Sequence, residues 1–177
     1  MGICQPLMDR LPFPAYLMDI QGYVWAWNKH VPRMLQLRPK RLDFLLRPAR
    51  MTLYQGFFHP SFRIGELMEN RELFLTHNIR VLRQDWERER CLEETWCQEA
   101  LAYSFRHYPE FKKFWDLAEN PPISEIPARP LTNLRFRSPS GTLEFRVAIE
   151  KMTRDDRFKV VYLMPADAAT LEECARW

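Results

Sequence analysis

The chain has 177 residues, is 46% hydrophobic and 14% aromatic, and carries a formal net charge of +3. That is enough for one domain with a real core and excludes a disordered polymer. The charge excess is too small to argue for nucleic acid, although 20 of the 26 basic residues are arginine, a side chain suited to carboxylates and phosphates.

Two short apolar runs, Ala15 to Met18 and Tyr23 to Trp27, flank a turn containing Gly22 and predict a hairpin. Trp25 and Trp27 are two apart, which places both indoles on one face of a regular strand. Asn28 follows as a helix N-cap, with Val31, Met34 and Leu35 on the helix behind it. The segment from Arg47 to Pro60 is ambiguous, with Leu53 and Phe57 at helical spacing. Then come two amphipathic helices, one carrying Leu75, Ile79, Leu82 and Trp86, the other Leu92, Trp96, Ala100 and Tyr103. A shorter helix opens near Pro109 with Phe111, Phe114, Trp115 and Ala118. Residues 120–130 hold four prolines and read as a loop.

The last third changes period from helical to two. Leu134 and Phe136 alternate with arginines, and Leu143, Phe145, Val147 and Ile149 alternate with mostly charged residues. Ser138 to Gly141 joins these strands as a hairpin turn, and Arg154 to Asp156 turns the chain into Phe158 to Met164. Thr170 is the expected cap of a terminal helix. Two strands, then helices, then three strands predict a single α+β domain over residues 1–177: a five-stranded antiparallel sheet covered on one face by several helices. A hollow between sheet and helices is then the natural ligand site.

Seven segments follow one another along the chain: Pro14 to Asp19 with Val24 to Asn28; Arg50 to Leu53 with Phe58-His59-Pro60 and Arg63; Val81-Leu82-Arg83; Pro109-Glu110-Phe111 to Trp115; Phe136 to Leu143; Tyr162 to Pro165; and Thr170-Leu171. In this order they resemble the MmyB-like (MltR-type) ligand-binding domain, a PAS-like sensor. Thr52 and Ser138 stand where that family carries Asn and His. The first ten residues are too few for the helix-turn-helix that usually precedes such a domain, so direct nucleic-acid binding is not expected of this chain. The resemblance implies a PAS-like fold, a transcription-regulatory role and a hydrophobic, fatty-acid-like ligand.

The candidate ligand contacts are Trp25, Trp27, Phe57, Phe58, Phe111, Trp115, Phe145 and Val147, which equally suit a core, because aromatics dominate cores in general. Arg83, at the family-like Leu-Arg position, is the expected grip on a carboxylate, with Arg80 as its alternate; a surface ion pair with a helix glutamate is the competing role. Asn28 is weighed as a ligand contact and read as a cap.

No enzyme is expected. The chain lacks Gly-x-Ser-x-Gly, a glycine-rich phosphate loop and His-Glu-x-x-His. Glu93-Glu94 and Asp155-Asp156 read as solvated carboxylates, and histidines 30, 59, 77 and 107 carry no heme or zinc signature. Cysteines 4, 91, 97 and 174 lack zinc spacing and read as reduced thiols of a cytoplasmic protein, with Cys91 and Cys97 on different faces of one helical stretch. No apolar run approaches the roughly 20 residues that span a bilayer. No cofactor is expected beyond a bound fatty acid or similar apolar molecule. The partners to expect are that ligand and a second copy in a homodimer. The alternative is a PAS-like interaction module whose core is filled and takes no ligand.

Overall fold

The computed structural model describes residues 4–37, 52–60, 62, 64–119 and 133–177. In chain order the elements are α1 (Cys4–Asp9), β1 (Ala15–Asp19), β2 (Val24–Trp27), α2 (His30–Met34), α3 (Leu53–Phe58), α4 (Ile64–Leu67) and α5 (Arg71–Arg88). A 3-10 turn (Cys91–Glu93) precedes α6 (Thr95–His107) and α7 (Pro109–Leu117). Then follow β3 (Leu134–Ser138), β4 (Gly141–Lys151), β5 (Phe158–Pro165) and α8 (Ala168–Arg176). The expected proline-rich loop at 120–130, and Arg50, Met51 and Arg63 of the resemblance, lie outside the described residues. The contacts divide the chain into a sheet unit, Met1–Glu69 with Asn133–Trp177, and a helical unit, Asn70–Thr132.

All five strands pair antiparallel in the order β2-β1-β5-β4-β3. The expected α+β class is therefore present, and the sheet is consistent with a PAS-like fold. Gly22 closes the β1–β2 hairpin at φ +90, a conformation that glycine adopts without a Cβ penalty. Ser138 pairs with Gly141, so only Pro139 and Ser140 connect β3 to β4, and the Ser138 hydroxyl accepts from the Ser140 N–H at 3.1 Å. The free side of β3 is blunted: Met68 bridges Phe136, and the Glu69 N–H donates to the Arg135 carbonyl at 2.9 Å. An edge strand left bare invites pairing with other chains.

Register assigns the two faces. Cross-strand partners share a face and neighbours alternate. Trp27 opposes Tyr16, Tyr16 opposes Val161, and Val161 opposes Ile149. Val147 and Phe145 follow two and four residues earlier on β4, so all six point to the inner face. Phe145 and Val161 are 0% and 2% exposed there. Fully burying such a side chain is worth roughly 1.5–3 kcal/mol. Ala15 and Leu17 point to the outer face, where α1 packs Met8 onto them. α1 was not foreseen in the sequence, because six residues are too few to display a helical period.

In the sheet unit, α3 starts with a capping box: the Thr52 hydroxyl accepts from the Gln55 N–H, and the Gln55 side chain accepts from the Thr52 N–H. The family departure at Thr52 thus keeps a local role, since a threonine N-cap satisfies helix donors that would otherwise be orphaned. The terminal helix starts one turn earlier than expected. Asp167 caps α8 by accepting from the Thr170 N–H. Thr170, expected as the cap, is fully buried, and its hydroxyl accepts from the Glu144 N–H at 2.9 Å.

In the helical unit, α5 buries the expected Leu75, Ile79, Leu82 and Trp86 together with Phe74. α7 buries Phe111, Phe114 and Trp115 behind Pro109 at its start. α6 departs from the reading. Its fully buried residues are Cys97 and Ser104, while Tyr103 is 49% exposed. The helix is turned by about one residue, near 100°, from the stripe of Leu92, Trp96, Ala100 and Tyr103. Arg90, left-handed at φ 57, breaks the chain before Cys91, so Cys91 and Cys97 do not share one helix and both are buried.

Candidate functional site

The opening hairpin supplies the first group of candidate residues. Leu17 opposes Ala26 but Met18 opposes Val24, so a bulge lies between them and Trp25 is the extra residue. A bulge re-aims side chains locally. Trp25 consequently turns to the outer face, packing on the cluster of Met8, Ala15 and Leu17. Its ring meets Phe158 edge-on at 5.7 Å, and its indole N–H donates to the Asp19 carboxylate at 2.7 Å. Trp27 points to the inner face opposite Tyr16. The two indoles do not share a face; the extra residue cancels the two-residue spacing that predicted it.

Asn28, which ends this hairpin, is 1% exposed and uses all its side-chain polar capacity within the protein. Its Oδ1 accepts from the backbone N–H groups of Ala15 and His30, each at 3.2 Å. Its Nδ2 donates to the carbonyls of Met8 at 3.0 Å and Phe13 at 2.8 Å. One amide therefore ties α1, the turn before β1, β1 and the start of α2. The cap residue of α2 is Lys29, without a side-chain cap bond, so Asn28 serves as a buried staple that also holds an N–H of the first turn. His30 beside it is 3% exposed, lies 6.1 Å from the Trp177 ring, and leaves Nδ1 without a hydrogen bond of good geometry.

The inner sheet face holds two more of the candidates. Phe145 is buried opposite Leu134 and Pro165, and Val147 is half-buried opposite Leu163. Tyr16 is half-buried on the same face, and desolvation of its hydroxyl pushes the pKa far up, with Tyr54 of α3 adding to the effect. Phe57 and Phe58 end α3 half-buried. Trp27, Phe145 and Val147 thus share one surface, and Trp25 does not belong to it.

The helical unit brings Arg83, Phe111 and Trp115 together. Phe111 stacks on Trp115 with centroids 6.0 Å apart, Trp86 lies 6.0 Å from Trp115, and Trp96 meets Trp86 at right angles. Arg83 lies over the Trp115 ring at 5.5 Å, a favourable cation–π placement. Its Nε donates to Glu87 at 2.9 Å and its NH2 group to Glu119 at 3.1 Å. The helix ion pair weighed in the sequence is present, and Arg83 is already gripping carboxylates.

Chemical reactivity is low where it was weighed. Burial, with a smaller contribution from Cys91, pushes the Cys97 thiol up to about 12. Burial likewise pushes Cys174 up to about 12. Neither is a ready thiolate nucleophile. Asp155 is held low by its bidentate partner Arg157 at the surface. Among the described residues, no three His, Cys, Asp or Glu side chains gather as a metal site, and no helix is long and apolar enough to cross a membrane.

The sequence reading missed Asp19, the anchor of the Trp25 indole. Its one signal was its place before the hairpin turn, where Asp commonly binds nearby backbone; its carboxylate does accept from the Tyr23 N–H at 3.0 Å.

An antiparallel five-stranded sheet of this order, with helices between its second and third strands, places the chain in the α+β class. Residues 3–176 match the MmyB-like transcription regulator ligand binding domain, and the chain belongs to that family. It is the ligand-binding domain of a transcription regulator. No curated protein matches the chain.

Proposed function

We propose that this domain is a cytoplasmic, non-enzymatic sensor that takes a small hydrophobic acid of the fatty-acid class and passes its presence on to transcription. The observation that carries the reading is the family match across residues 3–176. The apolar inner sheet face supports an apolar ligand, with Trp27, Val147 and Phe145 as contacts and Phe57 and Phe58 contributing from α3. Trp25 is a poor contact for the same ligand, since its indole is spent on Asp19 and Phe158.

Taken by itself, the helical unit offers Phe111, Trp115 and Arg83 as a separate set of proposed contacts. Arg83 keeps a guanidinium beside an aromatic ring and shares it with Glu119, whose side chain is 63% exposed. A ligand carboxylate in place of Glu119 would receive the same charge-assisted bond. Signalling then requires that the ligand prefer one conformation over another by a few kcal/mol.

The test compares fatty acids with the matching alcohols, by titration calorimetry on delipidated protein. Arg83→Ala is expected to weaken the acids by about tenfold, or 1.4 kcal/mol, and leave the alcohols nearly unchanged. Trp27→Ala is expected to weaken both alike. Equal loss of acid and alcohol on Arg83→Ala would remove the carboxylate grip. Absence of binding by either series in the unaltered protein would remove the fatty-acid reading.

A further inference from the structure

Tyr16 of β1 brings to the inner sheet face a hydroxyl that the fold does not use. The side chain stands between Trp27 of β2 and Val161 of β5, with Met18 two residues on along the same face. Tyr54 of α3, whose ring lies against Gly22, acts on the Tyr16 hydroxyl electrostatically. Yet that hydroxyl hydrogen-bonds neither Tyr54 nor any other described group. Tyr16 is half-buried and its oxygen is not closed off, so a small group can reach it.

Withdrawing a hydroxyl from water without a partner is unfavourable, and proteins pair nearly all such groups. The opposing residues cannot serve here, since Val161 has no polar side-chain atom and the Trp27 indole is a donor only. The missing acceptor is uncharged. Burial and the neighbouring phenol both push the Tyr16 pKa up, whereas a cation beside it would pull it down. Lys159, opposite Met18 at the end of this face, already has a partner. A carboxylate set against Tyr16 would therefore be desolvated without a matching cation among the described residues. A carbonyl or hydroxyl oxygen carries no such penalty.

We propose that Tyr16 is a specificity-determining residue, donating its hydroxyl proton to an uncharged oxygen, a hydroxyl or a carbonyl, on the chain of the bound acid. The ligand class narrows from plain fatty acids to their hydroxy and oxo derivatives. This assignment rests on the reading that an apolar ligand lies against the inner sheet face. Trp27, Val147 and Phe145 offer that ligand apolar contact, which is indifferent to position along a chain. Tyr16 supplies the directional bond that selects a chain with oxygen at one place, because a donor left unpaired disfavours the analogue that lacks it.

Titration calorimetry of the delipidated full chain tests it, with octadecanoic acid and with hydroxy- and oxo-octadecanoic acids substituted along mid-chain as probes. At least one substituted acid is expected to bind about five- to tenfold more tightly than octadecanoic acid, the margin of one hydrogen bond. Tyr16→Phe should erase that margin and leave octadecanoic acid unchanged. Because the hydroxyl makes no bond within the protein, the unliganded Tyr16→Phe variant should melt no lower than the unaltered chain, and up to about 4 °C higher. A lower melting point would show the hydroxyl holding the fold and overturns the proposal, as does a margin that survives Tyr16→Phe. Binding of octadecanoic acid with no gain from an oxygen along the chain overturns the Tyr16 assignment alone. No binding by any of these acids overturns it together with the fatty-acid reading.

Discussion

Asn28 shows how much one side chain can hold when it is buried with every polar atom used. Leaving buried partners unpaired costs about 1–3 kcal/mol per group, more than a hydrogen bond contributes on average. Asn28→Ala strands groups on four segments, two N–H donors and two carbonyls. We expect a loss of roughly 2–4 kcal/mol in urea unfolding, allowing for water entering the vacated space. A loss below about 1 kcal/mol would mean that the staple contributes little beyond an ordinary cap. That Asn28 would matter was legible from its place between strand and helix. That it reaches back to Met8 and Phe13 was not, since those contacts depend on where α1 and the turn before β1 settle. The same holds for Trp25. Nothing local in Tyr23 to Asn28 marks a bulge, because a bulge is a mismatch with the partner strand and has no residue of its own.

At the scale of elements, the β1–β2 turn and α3 are coupled through Gly22. A Cβ built there would lie 3.0 Å from two ring carbons of Tyr54, on a backbone already at φ +90. The Gly22 carbonyl also accepts from the Leu53 N–H at 2.8 Å. Gly22→Ala is expected to cost about 1–2 kcal/mol. Adding Tyr54→Ala to that variant should cost less than it does alone, because it relieves the contact and leaves only the backbone strain. Strict additivity in the double-mutant cycle would show that the ring yields freely and the whole cost is conformational. Element type was readable for β3, β4, β5, α5 and α7, where the period is sustained. α6 was assigned the right type and the wrong face. Its aromatic stripe was taken for the buried side, yet Tyr103 stacks on His107 at the surface with centroids 4.1 Å apart, while Cys97 and Ser104 fill the interior. Small residues pack wherever neighbouring helices come close, and that closeness is not written in α6 itself.

For the whole molecule, His30 and Glu110 are two of the described groups that contribute to the acid side of stability. Burial, with the charges of Lys29 and Arg33 behind it and a smaller opposing pull from the Leu11 backbone, holds His30 below its ordinary value of 6.5. The unfolded chain therefore binds that proton first, and stability should fall as pH drops below about 6.5 towards the folded value. Glu110 is held below 4.5, chiefly by its hydrogen bonds from Arg71, so its contribution is present above that pH and disappears as pH falls through its lowered value. Urea midpoints measured from pH 8 to pH 3 should decline in these two windows. His30→Gln should flatten the upper one and Glu110→Gln the lower. A wild-type curve flat from pH 7 to 5 would show that His30 keeps its proton equilibrium on folding.

By itself the sequence determined the α+β class, the hairpin turns, the period-two strands and the apolar character of one sheet face. Those features follow from local sterics and from hydrophobic spacing within single segments. Only the tertiary structure decided that the two indoles part to opposite faces, that Asn28 is shared among four segments, and that α6 is turned on its axis. Each of these depends on the register and approach of segments distant along the chain, where packing energy outweighs local preference.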